Sequence, residues 1–364
     1  MPDFDGIEAL PAVVAECATG AKMRGVRLRL AARTSRDWLK QWFDAAAATG
    51  FNVVVYDAMY AGQITHHSLV PEQSHYPKYA FRIGRRDLLA EACVLAGSHD
   101  MAIYAGMDTL YAGVKSRGIA SHMPVYARHL YARTRTNQTT YTNGPERNSK
   151  FLCPVNRRVA RCLCNYIHGL CESYPVDGLL MDFFRMPSGS TETGSSYCWC
   201  RSCETQAQEE LGINLKDLLR NPDADLRERW NLWKSERLGR LYIEMMACAG
   251  SARRNLPVIM RIEKGCSGRT SCAGASTVSA WAKEGFFNYA AVVTHMESAS
   301  VKDQTDVKPA SSHMPSLLRL IRSEHLVESL RDEMDYFELP SAGFLVEFAD
   351  LPGAELLRTL RMAE

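Results

Sequence analysis

Short apolar runs rich in β-branched residues alternate along this chain with longer amphipathic segments. The predicted strands cover residues 26–32, 51–57, 101–108, 176–182, 257–263, 290–297, 307–312 and 343–348. The predicted helices between them cover residues 36–48, 86–97, 156–173, 225–255 and 275–283. Repeated strand–helix units favour a parallel sheet with helices packed against it. The sequence therefore predicts an α/β fold, a single (β/α)8 TIM barrel.

The length of the chain fits one such barrel. With 364 residues, 46% of them hydrophobic, the chain can build one well-buried core of ordinary barrel size. We expect a single domain over residues 1–364, with a helical extension at 1–23 and the barrel at 24–364. Long loops are expected after strands 2, 3 and 4 on the catalytic side, where loops of this length usually carry function.

The net charge and the N-terminal residues indicate which partners and which location to expect. Forty-three basic and 41 acidic residues leave a net charge of only +2, which indicates neither nucleic acid nor an anionic membrane as partner. The first residues lack a basic region followed by an apolar one, and no apolar run approaches the length of a membrane span. The prediction is a soluble, cytoplasmic protein, and a homo-oligomer is left open.

Three cysteines stand very close together in Cys198-Trp-Cys200-Arg-Ser-Cys203. Thiols at this spacing are typical of a metal site, and a structural zinc ion needs four ligands. The best fourth ligand is Cys153, which precedes a proline. The predicted structural zinc site is therefore Cys153, Cys198, Cys200 and Cys203. Two alternatives remain open, reduced cysteines without metal and a cluster of disulfides.

Acidic residues stand at the predicted strand ends. Asp182 ends an apolar run on strand four, the place where a barrel presents catalytic carboxylates. Glu263 ends the next strand. A pair of carboxylates suits glycosidic bond cleavage, in which one group attacks or activates water and the other protonates the leaving oxygen. We predict Asp182 as the nucleophile, held ionised by a cation such as Arg185 or Arg261, and Glu263 as the acid/base. Capping or ion pairing is the structural alternative for each.

Other polar and aromatic residues near the strand ends are predicted to bind the sugar through hydroxyl hydrogen bonds and ring stacking. The predicted substrate-binding residues are Arg29, Asp57, Tyr56, Asp108, His122, Arg185, Arg261, His295, Glu297 and Glu347.

Three segments resemble known families. Phe151-Leu-Cys153-Pro-Val-Asn156, Tyr174-Pro-Val-Asp-Gly-Leu-Leu-Met-Asp182 and Tyr197-Cys-Trp-Cys-Arg-Ser-Cys203 look like hypothetical and family-10-like glycosyl hydrolase barrels. They also resemble the beta-galactosidases of glycoside hydrolase family 42, in which a cysteine before a proline joins a Cys-x-Cys-x-x-Cys loop to hold zinc. This resemblance implies the same four zinc ligands here.

The catalytic residues depart from that family. Its strand four carries an Asn-Glu pair and its strand seven a glutamate, whereas this chain has Met181-Asp182 on strand four and no glutamate on strand seven. An aspartate on strand four with a glutamate on strand five is similar to alpha-amylase-like retaining enzymes, although Leu180 stands where those enzymes have an arginine. Retention of configuration is the expectation, and inversion is left open.

The sequence thus predicts a zinc-braced glycoside hydrolase acting on a small oligosaccharide or glycoside. Two alternatives remain. One is a saccharide-binding barrel without catalysis, and the other is a metal-dependent hydrolase that uses His66, His67 or His295.

Overall fold

The structure is a computed structural model. It describes residues 15–16, 22–23, 25–28, 35–48, 50–60, 62–66, 86–114, 130–134, 137–139, 148–185, 198–214, 217, 224–263, 289–293 and 343–344. Its strands are β1 (Ala15–Glu16), β2 (Lys22–Met23), β3 (Gly25–Leu28), β4 (Val53–Tyr60), β5 (Gln63–Ile64), β6 (Ala102–Asp108), β7 (Tyr111–Val114), β8 (Ser149–Phe151), β9 (Gly178–Asp182), β10 (Val258–Glu263), β11 (Tyr289–Val293) and β12 (Gly343–Phe344).

Seven of these strands form one parallel sheet. Their spatial order is β3, β4, β6, β9, β10, β11 and β12, which is also their order along the chain. Each new strand is added to the same edge, so the order never reverses as it does in doubly wound sheets. The short strand β5 pairs antiparallel with the end of β4. The fold is therefore α/β with a mostly parallel sheet.

Five helices are described. They are α1 (Arg36–Ala48), α2 (Leu88–Ser98), α3 (Arg157–Ser173), α4 (Arg201–Leu211) and α5 (Ala224–Ala252). The hydroxyl of Ser35 accepts a hydrogen bond from the amide of Trp38 over 3.0 Å and so caps the start of α1. Among the described residues we find no helix with both the length and the apolar character needed to cross a bilayer.

Both faces of the sheet are buried. Val54 and Ile103 pack in one cluster with the helix residues Leu39 and Leu89. Because side chains alternate along a strand, their neighbours point to the opposite face, and these are buried as well. The buried apolar residues of this second face include Val53, Val55, Tyr104, Leu180 and Ile259. Residues that follow them on the same face form the candidate site.

An antiparallel hairpin stands beyond the end of β6. Strands β7 and β8 pair, and Tyr131 forms an isolated bridge with Leu152. The amide of Cys153 donates to the carbonyl of Leu130 over 2.8 Å, so residues 130–132 run alongside β8. The sequence predicted a long loop here. Part of that loop is this hairpin, whose strands are too short to show an alternation of their own.

Most predicted elements agree with the structure to within a few residues, and two findings differ. Residues 15–16 and 22–23 pair as strands, so the predicted helical extension at 1–23 is wrong at these positions; Pro11 lies within that segment and is unfavourable inside a helix. Helix α4 was not predicted. The predicted strand at 307–312 and helix at 275–283 lie outside the described residues, and the closed eight-stranded barrel stays a prediction.

Candidate active site and thiol cluster

Three aspartates and two arginines meet at the carboxyl ends of five neighbouring strands. Asp57 lies on β4, Asp108 ends β6 and Asp182 ends β9, where Asp108 and Asp182 are directly paired in register. Arg27 lies on β3 and Arg261 on β10. The three aspartates and Arg27 are at most 2% exposed, so their charges are balanced by one another rather than by water.

Arg27 joins all three carboxylates. Its Nε donates to Oδ1 of Asp57 over 2.7 Å, and its Nη1 donates to Oδ2 of Asp182 over 3.2 Å. Its Nη2 lies 3.8 Å from Oδ1 of Asp108. The planar guanidinium spreads its donors over three nitrogen atoms in fixed directions, whereas a lysine has a single donor nitrogen. Arg27 therefore fixes the relative positions of the three carboxylates.

Both oxygens of Asp182 accept hydrogen bonds from arginine. Nη1 of Arg261 lies 2.8 Å from Oδ1 and 2.9 Å from Oδ2, and Arg27 contacts Oδ2. Burial alone would raise the pKa of this carboxyl, but the charges of Arg261 and Arg27 outweigh it and hold the pKa below its usual value. Asp182 is therefore an ionised carboxylate at neutral pH.

The position of Asp57 depends on a glycine. Asp57 is paired in register with Gly106 of β6, and the pairing of β4 with β6 shifts just after it, between Asp57 and Met59. A Cβ atom at Gly106 would stand 3.1 Å from Cγ1 of Val55 and 3.2 Å from Oδ1 of Asp57. Only glycine leaves room for this carboxylate beside the neighbouring strand without displacement.

The residue after Asp182 has an unusual backbone. Phe183 has φ of 49°, in the left-handed region that disfavours side chains with a Cβ, and its amide donates to Oδ1 of Asp182 over 2.7 Å. Its ring stacks on Tyr111 at a centroid distance of 4.6 Å and meets the edge of Phe151 at 6.2 Å. Packing against the β7–β8 hairpin thus compensates for the backbone cost.

The four predicted cysteines form one buried cluster. The sulfur atoms of Cys153, Cys198, Cys200 and Cys203 all lie within 4.8 Å of one another. Sγ of Cys153 lies 3.4 Å from Sγ of Cys200 and 3.6 Å from Sγ of Cys203, and the last two are 3.7 Å apart. Thiolates bound to one tetrahedral zinc ion at about 2.3 Å would stand about 3.8 Å apart, so the cluster has the size of such a site.

The surroundings of the cluster favour a thiolate at Cys200, whereas hydrogen bonds from neighbouring thiols raise the pKa of Cys153 and burial raises that of Cys203. Hydrogen bonds from the thiols of Cys153, Cys198 and Cys203 hold the pKa of Cys200 well below its usual range. Cys200 is the N-cap of α4, and the positive end of a helix dipole stabilises negative sulfur. The amide of Arg133 also donates to Sγ of Cys198 over 3.2 Å. This donor set suits a closed zinc site, and the sulfur distances are too long for disulfides.

The thiol cluster and Asp182 are linked through packed rings. Cys153 follows Phe151 by two residues, and Phe151 packs against both Tyr111 and Phe183. The guanidinium of Arg185 lies over the rings of Phe151 and Phe183, at 5.6 and 5.5 Å from their centroids. The short segment from Phe151 to Cys153, at the end of β8, therefore both touches the residue after Asp182 and carries a cluster ligand.

Helices α4 and α5 pack around the loop that carries Cys198 and Cys200. Trp199, between two of the cysteines, packs at a tilt on Trp230, which stacks on Trp233 at 4.9 Å. Nε1 of Trp233 donates to Oε2 of Glu210 on α4 over 2.8 Å. The loop is thus supported on one side by the hairpin and on the other by α5.

The structure brings together Asp57, Asp108, Asp182 and Arg261 among the residues predicted for the site. One predicted role needs correction. Tyr56 is fully buried on the helix-facing side of β4, next to Asp57 on the opposite face, and its hydroxyl donates to the carbonyl of Thr65. Arg27 and Arg261 form ion pairs with Asp182, the guanidinium of Arg185 lies over aromatic rings, and the role of Arg185 in substrate binding stays a prediction.

Several predicted residues lie outside the described part of the chain. These are Arg29, His122, His295, Glu297 and Glu347, together with the alternative metal ligand His67. The backbone of Glu263 is described as the end of β10. Sequence reasoning missed Arg27, although it lies in the first predicted strand. Its isolation between Val26 and Leu28 was the signal, because a charge between two apolar strand residues faces away from their core.

Comparison with known proteins shows which fold this chain shares with solved structures. No family model matches the sequence, and no curated protein matches it. The PgaB (BpsB) glycoside hydrolase domain from Bordetella bronchiseptica matches with a TM-score of 0.54 and 14% identity, over 85% of this chain and 87% of that one. The beta-amylase catalytic domain from Paenibacillus polymyxa matches with a TM-score of 0.50 and 9% identity, over 74% and 76%. These likenesses show a shared α/β fold.

A further match is alpha-L-fucosidase isoenzyme 2 from Paenibacillus thiaminolyticus, with a TM-score of 0.48 and 14% identity. It covers 68% of this chain, and this chain spans only 34% of the fucosidase.

Proposed function

We propose that this protein is a glycoside hydrolase that cleaves a small oligosaccharide or glycoside. The observation that carries the proposal is Asp182, an ionised carboxylate at the carboxyl end of a parallel strand, held by Arg27 and Arg261. A carboxylate fixed in this way can act as the nucleophile in glycosidic bond cleavage. The shared fold with solved glycosidase domains adds support to this proposal.

The proposed architecture is a closed (β/α)8 barrel, with residues 24–364 as one domain. Strand order without reversal supports closure. Cα atoms of β12, at one edge of the sheet, lie within 8 Å of Cα atoms of β1, which precedes the strand at the other edge. The buried apolar side chains on the face away from the helices also suit a sheet that curls around its own interior.

Glu263 is the proposed acid/base. In the register of β9 with β10, Met260 is opposite Met181, so Arg261 is opposite Asp182 and position 263 lies two residues further. Two residues advance a strand by about 6.6 Å, which is of the order of the carboxyl separations found in glycosidases. In retention, Asp182 would attack the anomeric carbon while Glu263 protonates the leaving oxygen, and Glu263 would then deprotonate the attacking water.

A structural zinc ion is proposed in the cluster of Cys153, Cys198, Cys200 and Cys203. Zinc would fix the relative positions of the β7–β8 hairpin and the start of α4. Since Phe151 contacts Phe183, this brace would stabilise the backbone that carries Asp182. The reaction itself needs only the carboxylates.

The deciding experiment is a screen of aryl glycosides and natural disaccharides, with the configuration of the released sugar followed by NMR. We expect wild-type turnover of at least one substrate and loss of that turnover in Asp182→Asn, assayed well below the melting temperature of the variant. Asp217→Asn, an exposed aspartate distant in sequence from the strand ends, is the control. Undiminished turnover by Asp182→Asn would show that the assignment is wrong.

One observation favours a second candidate, a saccharide-binding barrel without catalysis. Both oxygens of Asp182 are occupied by arginine donors, which leaves fewer lone pairs for attack. In that case calorimetry would detect sugar binding while NMR detects no released sugar. The metal-dependent alternative has less support. His66 is buried between the rings of Tyr166 and Tyr174, and within the described residues the four thiols are the only group that could hold a metal.

A further inference from the structure

A groove of about 950 Å³ opens beside the thiol cluster. Its walls come from the first turns of α3 and α4 and from Arg133 and Asn137. None of the aspartates at the strand ends lines it. It is therefore a second concave surface, separate from the proposed active site and large enough for a small organic ligand.

Positive charge dominates the walls of this groove. Four arginines line it, namely Arg133, Arg157, Arg158 and Arg201. Among the described residues that line the groove, Glu209 is the only acidic one. Four guanidinium groups around one opening repel each other, and an anion in the groove would relieve that repulsion. The walls thus select for negative charge.

Several of these groups are available to a ligand. Within the described residues, the guanidinium groups of Arg157 and Arg201 make no hydrogen bond and no ion pair. Nη1 of Arg133 donates to the carbonyl and to Oδ1 of Asn137, over 3.2 and 2.8 Å, which holds this side chain at the rim while its other donors stay open. A guanidinium can hold the oxygens of phosphate or sulfate through two parallel hydrogen bonds.

The backbone also contributes positive electrostatic potential to the groove. Helices α3 and α4, with 17 and 11 residues, both begin at the groove. Cys200 at the N-cap of α4 contributes no side-chain hydrogen bond to the first amides of that helix. The positive ends of two helix dipoles therefore act together with the four arginines.

We propose that this groove binds a small molecule that carries at least two phosphate or sulfate groups. Two guanidinium groups that each bind two oxygens already occupy the four oxygens of one phosphate or sulfate group, and four arginines line the groove. The described lining residues include no aromatic side chain on which a nucleic acid base could stack, so a small polyanion fits better than a single-stranded nucleic acid. This site is independent of the proposed glycosidase activity.

The test is isothermal calorimetry on the full chain in a buffer free of phosphate and sulfate. The probes are fructose bisphosphate, a sulfated chondroitin disaccharide, uncharged fructose and a short single-stranded oligonucleotide. We expect one or both of the small anions to bind, more weakly at higher salt, and fructose not to bind. The tighter of the two anions identifies the class of oxyanion. Binding of the oligonucleotide alone, or of no probe, would overturn the proposal.

Variants then locate the binding. Arg157→Gln with Arg201→Gln, both exposed in the free protein, should weaken the bound anion by at least about tenfold. The double replacement of the exposed Arg227 and Arg240 on α5 by glutamine is the matched control, and it should change affinity little. An equal loss of affinity in both double variants would mean a general charge effect and would refute binding of the anion in the groove.

A gain of affinity gives an independent test. Glu209→Gln removes the one acidic group of the groove, so the anion should bind several-fold more tightly, whereas loss of folding can only reduce binding. Unchanged or weaker binding by Glu209→Gln, with a native circular dichroism spectrum, would contradict the proposal.

Discussion

Phe183 donates its backbone amide to Oδ1 of Asp182 while its own backbone lies in the left-handed region. The chain turns at this residue, immediately after β9 ends. The ring of Phe183, stacked on Tyr111, holds the turn in place. A side chain outside the proposed chemistry thus helps to fix the orientation of the central carboxylate.

The left-handed conformation predicts an inverted order of stability at position 183. Phe183→Gly and Phe183→Ala both remove the ring, but only alanine keeps a Cβ in the left-handed region. We expect the glycine variant to be more stable than the alanine variant by about 1 kcal/mol, measured by urea unfolding.

The control for this prediction is the exposed helical residue Leu232 on α5, where the order should be normal and glycine less stable than alanine by about 1 kcal/mol. A normal order at both positions would show that the turn at Phe183 is relaxed.

The ion pairs of Asp182 predict a pH dependence of stability. Because Arg261 and Arg27 lower its pKa in the folded protein, Asp182 stabilises the fold above its unfolded pKa of about 3.9. That contribution is lost as pH falls through the lower, folded pKa. Asp182→Asn should therefore cost about 3 kcal/mol of unfolding free energy at pH 7.

The difference between wild type and Asp182→Asn should stay constant from neutral pH to about pH 5 and shrink below about pH 4. Urea unfolding at a series of pH values measures it, with Asp217→Asn as the exposed control. A difference that is still constant at the acid end would mean that the two arginines do not lower the pKa of Asp182.

Metal analysis tests the thiol cluster. Purified protein should contain about one zinc ion per chain, and Cys200→Ser should lose it. Loss of the ion should lower the free energy of unfolding by at least about 3 kcal/mol, because the hairpin and the start of α4 would no longer be joined. Cys171→Ala, at a buried cysteine of α3 outside the cluster, should retain the zinc. Wild-type protein without zinc, prepared with zinc in the medium, would contradict the assignment.

The sequence predicted the parts of this molecule that depend on local pattern. Residues 178–182 form an apolar run that ends in charge, and the structure has a buried strand ending at Asp182. The four cysteines could be grouped because three are close in sequence and proline follows the fourth. In both cases one short segment contains most of the information, so no knowledge of distant contacts was needed.

Residues whose position depends on the neighbouring strand were predicted less well. Tyr56 and Asp57 are adjacent in sequence, and only the packing of β4 decides which one faces the helices. Arg27 was overlooked because its three partners come from strands 30 to 155 residues away. The β7–β8 hairpin joins segments that a long stretch of chain separates, and its short strands carry no periodicity.

The close approach at Gly106 predicts that this uncharged position is sensitive to substitution. In Gly106→Ala the added methyl group would press on Val55 and on the carboxylate of Asp57, which must move to relieve contacts of 3.1 and 3.2 Å. Overpacking of this kind costs about 2 kcal/mol. Because Asp57 orients Arg27 and Arg27 contacts Asp182, glycosidase turnover should fall more than substrate affinity.

Gly97→Ala on α2 is the matched control, since its new methyl group would meet nothing within 4 Å and alanine favours a helix. Unfolding curves and kcat for both variants provide the measurement, and a Gly106→Ala variant as stable and as active as Gly97→Ala would show that Asp57 does not position Arg27.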